Sequence, residues 1–304
     1  MKQMKRILCA GLLAACALPL RLPAQEGAGD VVYVPTPQVV VEEMLRMAKV
    51  GPADFVIDLG SGDGRMVITA VKKFGARGGF GVDLDKVLLK ISNEAAQREG
   101  VADRVRFFEQ NLFETDLSQA TVITSYLLPE MNERLRPKLL TLKPGTRVVA
   151  HDYAMGEWSP DAQKTLDVPE KTVGNPGKSY VYLWIVPAKV AGRWLPPPRA
   201  AGPAAQWEFE LTQRFQMVDG VAKGGSQTVR LRTLNLEADQ LSIIFFTKPG
   251  DVSTRHEFRG TVKGDSIEGT LKVGPAGGQQ TLPWSLRLAQ GSDPKPSPSA
   301  APPR

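Results

Sequence analysis

One ten-residue stretch constrains this chain more than any other: Phe-Val-Ile-Asp-Leu-Gly-Ser-Gly-Asp-Gly, residues 55–64. A short apolar run followed at once by closely spaced glycines reads as a buried strand ending in a tight turn. Residues 65–74 then carry a helical pattern. The same grammar continues to residue 150. Strands are expected at 55–59, 79–82, 105–108, 121–124 and 147–150, and helices at 65–74, 86–99 and 130–142. An opening helix follows Pro37, because Val39, Val40, Met44, Leu45, Met47 and Ala48 share a helical spacing. Strands alternating with helices of ten to fifteen residues require crossover connections and a parallel sheet, the α/β class. The β-rich run at 179–186 is expected as an antiparallel edge strand on that sheet.

The pattern changes after Pro187. Residues 188–204 hold Pro196-Pro197-Pro198 among small residues and read as a linker. Beyond it come short strand-like runs at 207–217, 228–234, 240–246, 256–262, 266–273 and 281–288. The pairs Asp219-Gly220, Gly224-Gly225 and Pro249-Gly250 separate some of them as turns, as does Lys263-Gly264-Asp265. Residues 205–290 therefore form a small antiparallel β domain, a barrel or a sandwich. Residues 291–304 are rich in Ser, Pro and Ala and are expected to be disordered.

The other end of the chain reads as an export leader over residues 1–24. Lys2, Lys5 and Arg6 precede a short apolar run, Ile7 to Ala15, which is too short to span a bilayer as a mature helix. Two processing sites compete. Leu13-Ala14-Ala15-Cys16 resembles a bacterial lipobox, which would leave a lipidated Cys16 as the mature N-terminus, and Leu22-Pro23-Ala24 suits ordinary cleavage. The expectation is an exported protein, periplasmic or held at the membrane as a lipoprotein. Its membrane contact would then run only through the anchor or the leader. Both cysteines, Cys9 and Cys16, lie in this leader, and only His151 and His256 are present. Thiol chemistry, Cys-type zinc and His-rich metal sites are thereby excluded from the mature body, and no metal is expected. The formal charge is +6, three units of which come from Lys2, Lys5 and Arg6. That excess is too weak to indicate a nucleic-acid partner.

The glycine turn has two readings. A dinucleotide-binding turn spaces its glycines GxGxxG. Here the third glycine comes one position early, and Arg65 stands where Gly or Ala would be expected. An acid, Asp58, also ends the strand. Asp-x-Gly-x-Gly-x-Gly resembles the pattern of S-adenosylmethionine (SAM) methyltransferases. Glycines let backbone approach the methionine moiety closely, Asp58 and Asp63 can face its ammonium, and helix-start amides can receive its carboxylate. Asp83 ends the next strand, where a carboxylate can accept both ribose hydroxyls; an NAD enzyme places an acid similarly. Gly60, Ser61, Gly62, Gly64 and, near the adenine, Asn111 complete the cofactor-binding set that this resemblance implies.

The likeness extends over residues 31–187. Tyr33-Val34-Pro35-Thr36-Pro37, a helix, the glycine turn and then Tyr126-Leu127-Leu128-Pro129-Glu130-Met131 resemble a class I methyltransferase group. That group includes the mitochondrial lysine methyltransferases acting on the c-type subunit of ATP synthase and on the adenine nucleotide translocase. Leu-Lys-Pro-Gly-Thr-Arg-Val-Val followed by His-Asp-Tyr is similar to bacterial proteins of the same class. The resemblance implies a Rossmann-like seven-strand sheet with helices on both faces, SAM as cofactor and a protein lysine as one acceptor. The β-rich region has no counterpart in the mitochondrial enzymes.

Acceptor chemistry is expected at the C-terminal ends of the strands, where Tyr126, Glu130, His151, Asp152 and Tyr153 stand. Each also has a structural reading: Tyr126 as packing, Glu130 as a helix N-terminal charge, and His151 and Asp152 as caps of a buried strand. Trp158 reads as core or lid, and His256 as structural. Two other functions stay open at this level. One is an NAD-dependent enzyme; the other is an exported binding or assembly module on a methyltransferase scaffold, since SAM is made in the cytosol.

Overall fold

A computed structural model describes residues 33–200, 202–275 and 279–291. The leader expected at 1–24 and the tail from 292 lie outside them. The first unit contains α1 (Gln38–Met47), β1 (Phe55–Leu59), α2 (Arg65–Phe74), β2 (Gly78–Asp83), α3 (Lys86–Arg98), β3 (Val105–Glu109), β4 (Val122–Ser125), α4 (Pro129–Leu139), β5 (Arg147–His151), β6 (Ala162–Val168) and β7 (Gly177–Ile185). Its sheet has seven strands in the order β3-β2-β1-β4-β5-β7-β6. The first five run parallel, and β7 and β6 run antiparallel to their neighbours.

Alternation along the central strands assigns the two faces. Val56, Val122 and Val149 pack with Val40 and Met44 of α1, Met66 and Val67 of α2 and Leu89 of α3. Ile57, Ile123 and Val148 pack with Leu135 and Leu139 of α4 and with Trp158 and Trp184. Helices therefore cover both faces, as the resemblance implies. Trp158 is fully buried in this second face. One expectation changes: β7 is antiparallel but sits one place inside the edge, because the β6–β7 hairpin adds β6 outside it. Residues 162–168 escaped notice because most of β6 is exposed, so it lacks an apolar run.

The second unit contains β8 (Gly192–Leu195), β9 (Glu208–Arg214), β10 (Met217–Gly224), β11 (Gln227–Arg230), β12 (Thr233–Glu237), β13 (Gln240–Phe246), β14 (Arg255–Lys263), β15 (Ser266–Val273) and β16 (Gln280–Leu288). They form one antiparallel sheet of nine strands, ordered β11-β10-β9-β8-β16-β15-β14-β13-β12. Its two edge strands, β11 and β12, are successive in the chain, and the Leu231 N–H between them donates to the Gly220 carbonyl at 2.9 Å. The sheet thus curls on itself, nearer the barrel than the sandwich. Trp194, Trp207, Phe209, Phe245, Phe258 and Trp284 fill it. His256 stacks on Phe245 at 5.1 Å inside this aromatic column.

Strand β8 lies within the segment read as a linker. Asp219-Gly220, read as a turn, lies inside β10. There Gly220 is required by close pairing, since a Cβ would stand 2.2 Å from the Glu210 carbonyl oxygen. The hairpin turns instead at Phe215, whose φ is 55°. That turn docks on the first unit: Trp158 Nε1 donates to Gln216 Oε1 at 3.0 Å, and Gln216 Nε2 donates to the Ser159 carbonyl at 2.7 Å.

Candidate active site

The site begins where β1 stops. Gly60, Gly62 and Gly64 all have positive φ. A Cβ on Gly62 would lie 2.3 Å from the Tyr33 ring, and one on Gly64 would lie 2.5 Å from Phe107. These positions tolerate only glycine, for backbone geometry and space together. The Gly60 and Ser61 amides both donate to the Val82 carbonyl at 3.0 Å, tying the turn to β2. Asp83 at the end of β2 accepts from the Gly62 amide at 2.8 Å and from the Asp85 amide at 3.0 Å.

Asp58 is fully enclosed at the base of the turn. Thr124 of β4 donates its hydroxyl to Asp58 Oδ1 at 2.6 Å. Burial pushes this carboxyl up to about 7; the Thr124 bond opposes the rise, and the charges on Asp83 and Asp63 add to it. Two hydroxyls, Ser61 Oγ in the turn and Ser125 Oγ at the end of β4, are buried without a hydrogen-bond partner among the described residues. Unpaired buried groups of this kind are costly, and their presence next to a high-energy carboxyl marks a place built for a polar ligand. Asp63 is engaged differently: the Arg65 guanidinium Nε donates to its two oxygens at 2.9 and 3.0 Å. Asn111 uses its side chain within its own turn, accepting from the Phe113 amide at 3.0 Å.

The lead-in residues strap this turn to the next group. Tyr33 covers Gly62, and burial with the Asp63 charge pushes its phenol up to about 12. Arg65 Nη1 donates to the Thr36 carbonyl at 2.9 Å, while Thr36 Oγ1 meets His151 Nδ1 at 3.2 Å. Sequence flagged this segment only by resemblance; its role is to join two halves of one site.

The second half forms at the ends of β4 and β5. His151 is buried, with Nε2 3.0 Å from Ser179 Oγ. Burial holds its imidazole down to about 4, so it is neutral near pH 7. Asp152 follows with φ 62°, a strained turn for a non-glycine residue. Its Oδ1 accepts from the Tyr180 amide at 3.1 Å, and its Oδ2 accepts from the Tyr126 hydroxyl at 3.3 Å. Burial first and Asp152 second raise the Tyr126 phenol. Tyr153 stacks parallel to Tyr126 at 6.2 Å. Glu130, by contrast, is exposed in the first turn of α4. A further residue joins the cluster that the sequence did not single out: Lys171, whose buried ammonium pairs with Asp152 Oδ2 and donates to the Lys178 carbonyl at 2.8 Å. A cavity of about 420 Å³ lies elsewhere, between the two units, and none of the sequence-selected residues lines it.

The ANTKMT methyltransferase domain family matches residues 58–162, which run from Asp58 past Tyr126, His151, Asp152 and Tyr153 but stop short of Lys171. A protein-lysine N-methyltransferase of Saccharolobus islandicus (strain REY15A) is 42% identical over 157 residues, covering 51% of this chain and 94% of that protein. The chain belongs to this family of SAM-dependent methyltransferases. A lysine N-methyltransferase of Xenopus laevis, named for its ATP synthase substrate, is 35% identical over 133 residues, 42% of this chain and 56% of that enzyme. Among solved structures, an RNA methyltransferase from Salinibacter ruber in complex with S-adenosyl-L-homocysteine is 44% identical, with 56% of this chain and all of that chain covered and a TM-score of 0.46.

The methyltransferase's own residues fit the cofactor. Three glycines clear a backbone cradle, Asp58 offers a carboxylate to a cation, and Ser61 and Ser125 carry unpaired hydroxyls. That set suits an amino-acid head group better than a pyrophosphate, which would need cationic or amide donors and no buried acid.

Proposed function

We propose that this chain transfers a methyl group from SAM to the side-chain amine of a protein lysine. The observation that carries the reading is the 42% identity to a protein-lysine N-methyltransferase, across 94% of that protein. When bound, SAM supplies a methyl already activated on a cationic sulfur, so the protein's work is alignment and exclusion of water. In this reading Asp58 faces the ammonium of the cofactor, the glycine turn brings backbone close to its methionine moiety, and Asp83 turns towards the ribose. Ser61 and Ser125 supply the remaining polar contacts. Tyr126, Asp152 and Tyr153 line the acceptor side, with neutral His151 holding Thr36 and Ser179 in place. The acceptor must be a free amine when it reacts, because an ammonium has no lone pair to attack with.

The leader adds a location. The reading is an exported enzyme, anchored through Cys16 or released by cleavage after Ala24. The mass of the mature N-terminus separates the two. Calorimetry on residues 25–304 tests the cofactor half: micromolar SAM binding is expected, and no heat at millimolar SAM would remove the reading. Proteome-wide mass spectrometry of a deletion strain tests the acceptor. Loss of methyl-lysine from one or more exported proteins is expected; an unchanged lysine methylome would exclude lysine as the acceptor.

A further inference from the structure

The loop joining β6 to β7 is built in an unusual way. Pro169, Glu170, Thr172, Val173 and Gly174 are all exposed, yet Lys171 between them is buried. A loop held in place for stability buries apolar residues. This one inserts a single charged side chain. A buried lysine paired to one carboxylate gains little stability over an apolar pair, because desolvating both ions offsets their attraction. The place it reaches is specific. Tyr126 and Asp152 follow the C-terminal ends of β4 and β5, in the crevice where open α/β sheets hold ligands. Gly174 closes over it, and a Cβ there would lie 2.9 Å from the Tyr126 hydroxyl and 3.0 Å from Asp152 Oδ2.

The ammonium therefore meets a carboxylate and a backbone carbonyl, and the same carboxylate oxygen accepts from the Tyr126 hydroxyl at 3.3 Å. Those are the groups that hold an ammonium entering from outside. We propose that Asp152, Tyr126 and the Lys178 carbonyl form the amine-binding end of the acceptor site, and that Lys171 occupies it until an incoming lysine displaces it. The inference rests on the amine-methylation reading above. It adds that the acceptor is held first as an ammonium on Asp152, and that the free chain is partly self-blocked. After the acceptor loses a proton to solvent, its nitrogen lone pair forms the new N–C bond. The C–S bond breaks with its electron pair left on sulfur, giving S-adenosylhomocysteine.

The probe is n-butylammonium, titrated calorimetrically into the full chain and into Lys171→Ala. Removing the internal competitor raises the fraction of open sites, so the variant is expected to bind the probe at least about tenfold more tightly than the natural chain. Adding Asp152→Asn is expected to abolish that binding. With radiolabelled SAM present, Lys171→Ala is expected to form N-methylbutylamine about tenfold faster than the natural chain. Lys171→Gln, which still donates to Asp152, guards against an unfolded Ala variant and is expected to shift the same two readouts in the same direction. Equal probe binding in all chains overturns the proposal. So does probe bound without methylation while SAM binds normally, for Lys171 is then a fold pin. Failure of every chain to bind SAM overturns the methyltransferase reading itself, and this inference with it.

Discussion

The two sheets of this molecule bury side chains for opposite ends. The curled second sheet encloses Phe209, Phe245, Phe258 and Trp284 in edge-to-face and stacked contact, 4.9 to 6.3 Å apart. The first sheet buries more apolar groups still, but at the C-terminal ends of β1, β4 and β5 it also buries Asp58, Thr124, Ser125, His151, Asp152 and Lys171. An aromatic column gains from every contact it makes. A polar cluster of that density is expensive, and a fold keeps it where a ligand meets those groups. Stability and chemistry are thus largely separated, and substitutions should sort accordingly.

The largest expected effect belongs to the second sheet. Phe258→Ala should destabilise by about 3–5 kcal/mol through loss of buried area and an unfilled cavity. Denaturant titration measures it, and SAM affinity measured on the folded fraction should stay within twofold. A parallel fall in SAM affinity would break the separation.

Asp58→Asn should do the reverse. On the proposed role of Asp58, loss of its charged hydrogen bond to the cofactor should cost about 2–3 kcal/mol, roughly a hundredfold in affinity. Its stability effect has the opposite sign at high pH. A carboxyl raised to about 7 binds its proton more tightly in the folded chain than in the unfolded one. Folding stability is therefore lost as pH climbs from about 4 to about 7. Asn at this position has no proton to lose, so the variant's melting temperature should exceed that of the natural chain at pH 8. A lower melting temperature there would show that the ionised Asp58 is better solvated than its burial implies.

The same titration predicts how binding responds to pH. If the ionised carboxylate holds the cofactor's cation, SAM affinity should fall by up to about tenfold per pH unit below 7, and Asp58→Asn should flatten that slope. The smallest effect lies at the seam between the units. Gln216→Ala leaves the Trp158 indole without its acceptor and should cost about 1 kcal/mol. Two resolved calorimetric transitions in that variant, against one in the natural chain, would show that this contact couples the sheets.

Much of the first half of the site was legible because its chemistry is local. The glycines announce a turn, Asp58 and Asp83 stand at the ends of apolar strands, and the resemblance to SAM methyltransferases grouped them into one set. The expected and observed bounds of α2 coincide, at 65–74, since the turn before it and Gly75 after it both leave marks in sequence. The acceptor half was legible only as a set of names. Tyr126, His151, Asp152 and Tyr153 do converge, while Glu130 remains at the surface. Lys171 carried no signal: a lysine in a loop of Gly, Pro and Asn is ordinarily solvated. Its burial follows from the hairpin folding back, an event of tertiary structure. Strands β8, β10 and β12 were missed for a related reason, since pairing across the sheet overrode weak or turn-like local sequence.

The order of strands in the second sheet also sets when it can form. Every pairing in it joins strands that follow one another in the chain, except β8 with β16. Strand β8 leaves the ribosome just after the methyltransferase sheet is finished at Ile185, while β16 ends at Leu288, so β8 must wait for about a hundred residues to be made. At roughly 5–20 residues per second that delay is some 5–20 s. During synthesis the enzyme half can therefore be folded while the ring beside it is still open.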